Sequence, residues 1–138
     1  MSIVVDTNIV ISALLFGGPP GELATLWRAG ELDPIFSKEI LNEYIKVLAY
    51  PKFSLSESEI DFLLKRELLP YFRVVDTSKI QLKNIITADP DDDKFIICAL
   101  ADECDLIISG DKHLLDLGSY RNIEIITPAA FLIKNWQT

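Results

Sequence analysis

Residues 89–115 read Asp89-Pro90-Asp91-Asp92-Asp93-Lys94-Phe95-Ile96-Ile97-Cys98-Ala99-Leu100-Ala101-Asp102-Glu103-Cys104-Asp105-Leu106-Ile107-Ile108-Ser109-Gly110-Asp111-Lys112-His113-Leu114-Leu115, and the order of residue types in this stretch decides the fold. Aspartates and a proline open it, as they open a helix whose first turn faces its own positive end. Phe95 through Ala101 is apolar nearly all round, which predicts a buried helix over residues 91–103. Leu106-Ile107-Ile108 lacks polar alternation and reads as a strand covered on both faces. It runs out in Ser109-Gly110-Asp111, and a short helix over residues 112–117 follows.

Outward from this stretch the same alternation recurs. Strands are expected at residues 3–5, 33–36, 72–75 and 123–126. Helices are expected at residues 8–16 with Asn8 as cap, at 22–29, from Ser37 through Leu48, at 56–69, and from Pro128 onward. Gly17-Gly18-Pro19-Pro20-Gly21 reads as the break between the first two helices. Strands separated by helices imply a parallel sheet covered on each side, an α/β fold. At 138 residues the chain has room for a single domain, residues 1–138, without repeats or linkers.

Composition removes several function classes. The chain is 49% hydrophobic and 25% charged, the balance of a globular protein rather than a disordered tail. A net charge of −8 argues against holding nucleic acid by bulk positive charge. His113 is the only histidine, so multi-histidine zinc sites are excluded and any Ser-His-Asp triad would hang on it. Cys98 and Cys104, placed on one helix, lie too far round it to pair, and free thiols in an apolar stretch suggest a reducing cytoplasmic setting. Neither a secretory signal nor a membrane span is expected, since the longest apolar-looking run ends at Phe16 after eight residues from Ile9.

The informative feature is where the acids fall. Two strands end in aspartates, Asp6 and Asp111, and in parallel sheets ligand sites lie beyond the carboxyl ends of strands. If these strands are neighbours, about 4.8 Å apart, both carboxylates can reach one ion. The plainer alternative is that each caps the following helix, although Asn8 already offers a cap beside Asp6. In the run from Asp89 to Asp93, capping accounts for two or three acids but not four in five residues. Unit charges 4 Å apart repel by about 4 kcal/mol at a surface-like dielectric. Between Asp89 and Asp111 there are eight acids and a single base, Lys94. A calcium loop counted from Asp89 fails, because Lys94 and Leu100 stand where its glycine and glutamate belong. Glu43 shares a polar stripe with Glu39 and Lys46, the ordinary pattern of a solvated helix face.

An all-oxygen cluster suits a hard cation, Mg²⁺ or Mn²⁺, rather than zinc. Such an ion supports phosphodiester hydrolysis by polarising phosphate and acidifying water.

Four segments together resemble the PIN-domain ribonucleases, VapC-like toxins among them. Asp6-Thr7-Asn8 is similar to the opening motif of that family. Residues 37–52, containing Glu43, resemble its second acidic segment, Asp89 through Lys94 its third, and Ser109 through Leu115 its fourth. The resemblance implies a three-layer α/β/α fold with a central parallel sheet ordered 3-2-1-4-5. It further implies a metal-dependent endoribonuclease, the toxin of a type II toxin–antitoxin pair. The metal-binding and catalytic acids would be Asp6, Glu43, Asp92 and Asp111, with Asp93 the alternative to Asp92. Thr7, Asn8 and Ser109 would support Asp6, Ser109 standing where the family has threonine and His113 where some relatives carry a further acid. Expected partners are an RNA substrate, a small antitoxin protein and further copies of the chain, as a homodimer or higher oligomer, with no membrane.

Lys65, Arg66, Arg73, Lys79 and Lys83 form the only basic stretch and the candidate for phosphate contacts. Two rivals are weighed. A phosphoacceptor signalling domain would need paired acids after the first strand and a lysine after the last, where the chain has a lone Asp6 and Thr127-Pro128. A catalytically inactive protein- or RNA-binding module of the same fold would not need all four acids.

Overall fold

The computed structural model describes residues 1–81 and 89–136. Among the described residues six strands form one sheet: β1 (Ser2–Val5), β2 (Asp33–Phe36), β3 (Arg73–Val74), β4 (Leu106–Ile108), β5 (Ser119–Tyr120) and β6 (Ile123–Ile126), in the order β3-β2-β1-β4-β6-β5. The five expected strands take the expected order and run parallel, and β5 pairs antiparallel with β6 at the far edge. Two residues are too few to show alternation, which is why β5 leaves no signal in the sequence. Ile3, Val4 and Val5 are each fully buried. Since successive strand residues point to opposite faces, the sheet is covered on both.

Helices α1 (Thr7–Leu15) and α2 (Gly18–Arg28) meet at 86° and pack on each other, with α7 (Pro128–Trp136) against α2. Helix α3 (Lys38–Leu48) contacts α1 and α5 (Asp93–Ala101), and α5 lies across β1, β2 and β4. Helix α4 (Glu57–Phe62) continues in a wider turn over Leu63–Leu68, and α6 (Lys112–Leu117) packs on β6. No single helix among the described residues is long and apolar enough to cross a membrane.

Local chemistry explains most boundaries. Ser56 and Glu59 form a reciprocal capping box at α4, and the Ser37 hydroxyl accepts from the Ile40 amide at α3. Three expectations need correction. Helix α2 begins at Gly18 rather than residue 22, because Pro19 and Pro20 fall in its first turn, where a missing N–H costs nothing. Gly17 makes the break, at φ +125°. Asp6, not Asn8, occupies the cap of α1. Helix α5 ends at Ala101, so Cys104 lies beyond it and donates to the carbonyls of Ser2 and Leu106 at 3.2 and 3.3 Å. Both thiols are free and buried, and burial pushes Cys98 up to about 12.

The core beside β2 and β3 is aromatic. Phe72 packs edge-on to Trp27 at 5.1 Å and stacks on Phe36 at 5.5 Å, and Tyr44 meets both Phe36 and Phe72. Tyr44 is fully buried and donates its hydroxyl proton to the Val5 carbonyl at 2.5 Å, tying α3 to the residue before Asp6. Removing it strands a buried carbonyl at the site's edge. Tyr44→Phe should therefore lose about 1–2 kcal/mol of stability, read as a lower urea midpoint at unchanged slope. An unshifted midpoint would mean that Val5 finds another donor.

Candidate active site

The parallel register of β1 and β4 sets Val5 opposite Ile108, and the Asp6 amide continues the ladder by donating to the Ile108 carbonyl at 2.9 Å. Asp6 and Ser109 thus leave adjacent strand ends side by side. Asp6 is 5% exposed, and both its carboxyl oxygens are held: Oδ1 accepts from the Thr7 amide at 2.7 Å and Oδ2 from the Ser109 hydroxyl at 2.6 Å. Ser109 in turn accepts from the Asp111 amide at 2.9 Å, and Asp111 Oδ2 accepts from the Leu114 amide at 3.2 Å as the cap of α6. Both strand-end aspartates therefore also act as helix caps.

The other acids arrive from helices. Glu43 reaches in from the middle of α3. The Thr7 hydroxyl donates to its Oε2, and Lys94 Nζ stands 2.6 Å from its Oε1. Asp92 ends the short turn Pro90–Asp92 that leads into α5 and faces Asp111 carboxyl to carboxyl, close enough to share a proton. Asp92 Oδ2 is buried without a hydrogen-bond partner among the described residues. The carboxyl that meets Asp111 is thus that of Asp92, while Asp93 is buried as the first residue of α5.

Electrostatics follow from this crowding. Burial pushes the Asp6 carboxyl up to about 6; the Ser109 and Thr7 hydrogen bonds pull the other way, and the charges of Asp111 and Glu43 add to the push. Burial, then the hydrogen bond and charge of Asp111, then the charges of Asp89 and Asp6, push Asp92 up to about 8. Desolvated acids with one orphaned oxygen are what a hard divalent cation would satisfy, and an all-oxygen donor set fits Mg²⁺ or Mn²⁺.

Sequence reading left two neighbours out of the ligand set. Asp89, whose Oδ1 accepts from the Asp91 amide as a cap, and exposed His113 each bring a ligand atom within 4.8 Å of the other and of Asp92; among the described residues this is the grouping that could hold a metal ion at that spacing, and of the expected four acids it contains Asp92 alone. The acid run and the lone histidine two residues past Asp111 were the available signals.

The expected supporting and basic residues divide. Thr7 and Ser109 touch the acids directly, whereas Asn8 is exposed and makes no hydrogen bond to Asp6 among the described residues. Among the described residues of the basic stretch, Lys65, Arg66 and Arg73 are engaged elsewhere. Arg73 lies toward the opposite end of the sheet, paired with Asp33 at 2.8 Å and Asp102 at 2.9 Å. Lys65 pairs with Asp61, Arg66 sits over the Phe62 ring, Lys79 is exposed, and Lys83 lies outside the described residues.

Comparison with known proteins fits this geometry. A family profile described as PIN domain matches residues 2–113, and the chain belongs to that family, whose members are generally nucleases. The crystal structure of VapBC2 from Rickettsia felis bound to a DNA fragment from their promoter superimposes with a TM-score of 0.58 at 14% identity, covering 91% of this chain and 97% of that one. No curated protein sequence matches the chain.

Because Asp6 and Asp92 are shifted upward, the native state keeps protons that the unfolded chain, with carboxyls near about 4, releases. With chelator present, stability should fall as pH rises from about 4, more steeply up to about 6 and more gently up to about 8, and recover on acidification. Asp92→Asn should raise the melting temperature at pH 8 by roughly 2–5 °C and flatten the upper part of this profile. A melting curve independent of pH in the wild type would contradict the burial of these acids.

Proposed function

We propose that this PIN-domain protein is a metal-dependent endoribonuclease that hydrolyses RNA phosphodiester bonds as the toxin of a toxin–antitoxin pair. One observation carries the proposal: Asp6, Glu43, Asp92 and Asp111 are linked by their charges beyond the ends of β1 and β4, Asp6 feeling Asp111 and Glu43, and Asp92 feeling Asp111 and Asp6, with Asp92 Oδ2 buried without a hydrogen-bond partner among the described residues. Family membership supports the nuclease reading, and the likeness to a toxin–antitoxin complex supports its setting.

When bound, Mg²⁺ or Mn²⁺ supplies positive charge against the phosphate and eases ionisation of the attacking water. The chain's own residues prepare the place. Ser109 and the Thr7 amide fix Asp6 in one orientation, and the Thr7 hydroxyl fixes Glu43. Asp92, whose carboxyl burial and the neighbouring Asp111 push upward, would lose its proton when a cation takes its charge. Their acidity also turns RNA away unless cations are present, which accommodates a net charge of −8. A protein partner has apolar surface to cover: Phe16 is 74% exposed and Phe62 54%, and Phe62 lines a groove of about 280 Å³ with Leu15, Leu55 and Leu63. In this role the protein works in the cytoplasm, assembled with copies of itself.

Asp6→Asn or Asp111→Asn should lower cleavage of an unstructured RNA by roughly 100-fold or more in Mg²⁺ or Mn²⁺ while circular dichroism stays native, and chelator should stop the wild type. Mn²⁺ should raise the melting temperature of the wild type and do so less for Asp111→Asn. Equal cleavage by Asp6→Asn would end the proposal, and RNA binding without cleavage would point to a binding module instead.

A further inference from the structure

We propose that Lys94 is a tethered counter-ion that occupies Glu43 until a divalent cation arrives and then passes to Glu39. The inference rests on the metal-dependent reading above and concerns how the site is kept charged and folded before loading. Lys94 is the one base within a stretch of eight acids, and its ammonium lies 2.6 Å from Glu43 Oε1 with only 20% of its side chain exposed. The other oxygen of Glu43 takes the Thr7 hydroxyl, so both oxygens are engaged. The four acids are therefore unequal. Asp92 and Asp111 face each other with an oxygen unsatisfied, whereas Glu43 is closed by a positive charge from α5.

A cation drawn to Asp6, Asp92 and Asp111 and an ammonium on Glu43 repel each other across the same small site. Lys94 has somewhere to go. It lines a cavity of about 350 Å³ together with Ser37, Thr77 and Glu39. Glu39 stands four residues before Glu43 on α3, one helical turn away on the same face. A change of side-chain rotamer, with no movement of either helix, moves the ammonium from one glutamate to the other and frees Glu43 Oε1.

Calorimetric titration with Mn²⁺ of the wild type, Lys94→Met and Lys94→Arg tests this. Removing the competing charge should tighten Mn²⁺ binding about tenfold in Lys94→Met, while Lys94→Arg stays near the wild type. The wild type supplies a second readout that needs no variant. Amine labelling of Lys94, quantified by mass spectrometry against exposed Lys112, should rise several-fold on saturation with Mn²⁺. Unchanged or weaker Mn²⁺ binding in Lys94→Met, or labelling that stays level or falls, overturns the role of Lys94 and leaves the ribonuclease reading standing. A wild type that binds no Mn²⁺ overturns both.

Discussion

Like charges at the carboxyl ends of β1 and β4 are the constraint around which this protein is organised. Asp6 cannot retreat, because its amide belongs to the sheet ladder and its neighbours Ile3, Val4 and Val5 are buried on both faces. Asp111 is placed by Ser109, which touches both aspartates with one hydroxyl group. Apolar burial of two adjacent strands is thus what holds the carboxyls at close range, and dispersal of their charge falls to donors from other elements, the Thr7 amide and hydroxyl and Lys94, and to the raised proton affinity of Asp92. Desolvation raises the carboxyls' proton affinity, so the site trades stability at neutral pH for readiness to take a cation.

Capping and clustering turn out to be compatible uses of one carboxylate. Asp6 starts α1, Asp89 starts the turn into α5, and Asp111 starts α6. Each therefore sits against the positive end of a helix, which offsets part of the repulsion the cluster creates. The plain reading of these aspartates as caps and the chemical reading as ligands were posed as alternatives; the geometry allows both.

The parallel strands and the acids at their ends were legible because continuous β-branched runs and terminal aspartates are local signals. So was the order of the sheet, through the resemblance of four spaced segments. What stayed hidden was tertiary. Glu43 looked like part of a solvated stripe because its partners, Thr7 and Lys94, are 36 and 51 positions away in sequence. Arg73 looked like a phosphate contact, yet Asp33 and Asp102 claim it at the other end of the sheet. Cys104 was placed on a helix that stops three residues earlier, since an apolar stretch does not announce its last turn. Asp89 and His113 were left out of the ligand set because Asp89 reads as a cap and His113 stands where some relatives carry an acid.

The two rims of the sheet are stubs. β3 and β5 contribute two residues each, and β3 begins at a fully ion-paired arginine. Neither rim presents a row of unpaired amides long enough to template a neighbouring chain. Among the described residues the strands thus offer little edge for copies of this protein to extend, and an assembly built instead from helix faces and side chains would leave the strand ends that carry the acids open to what must enter them.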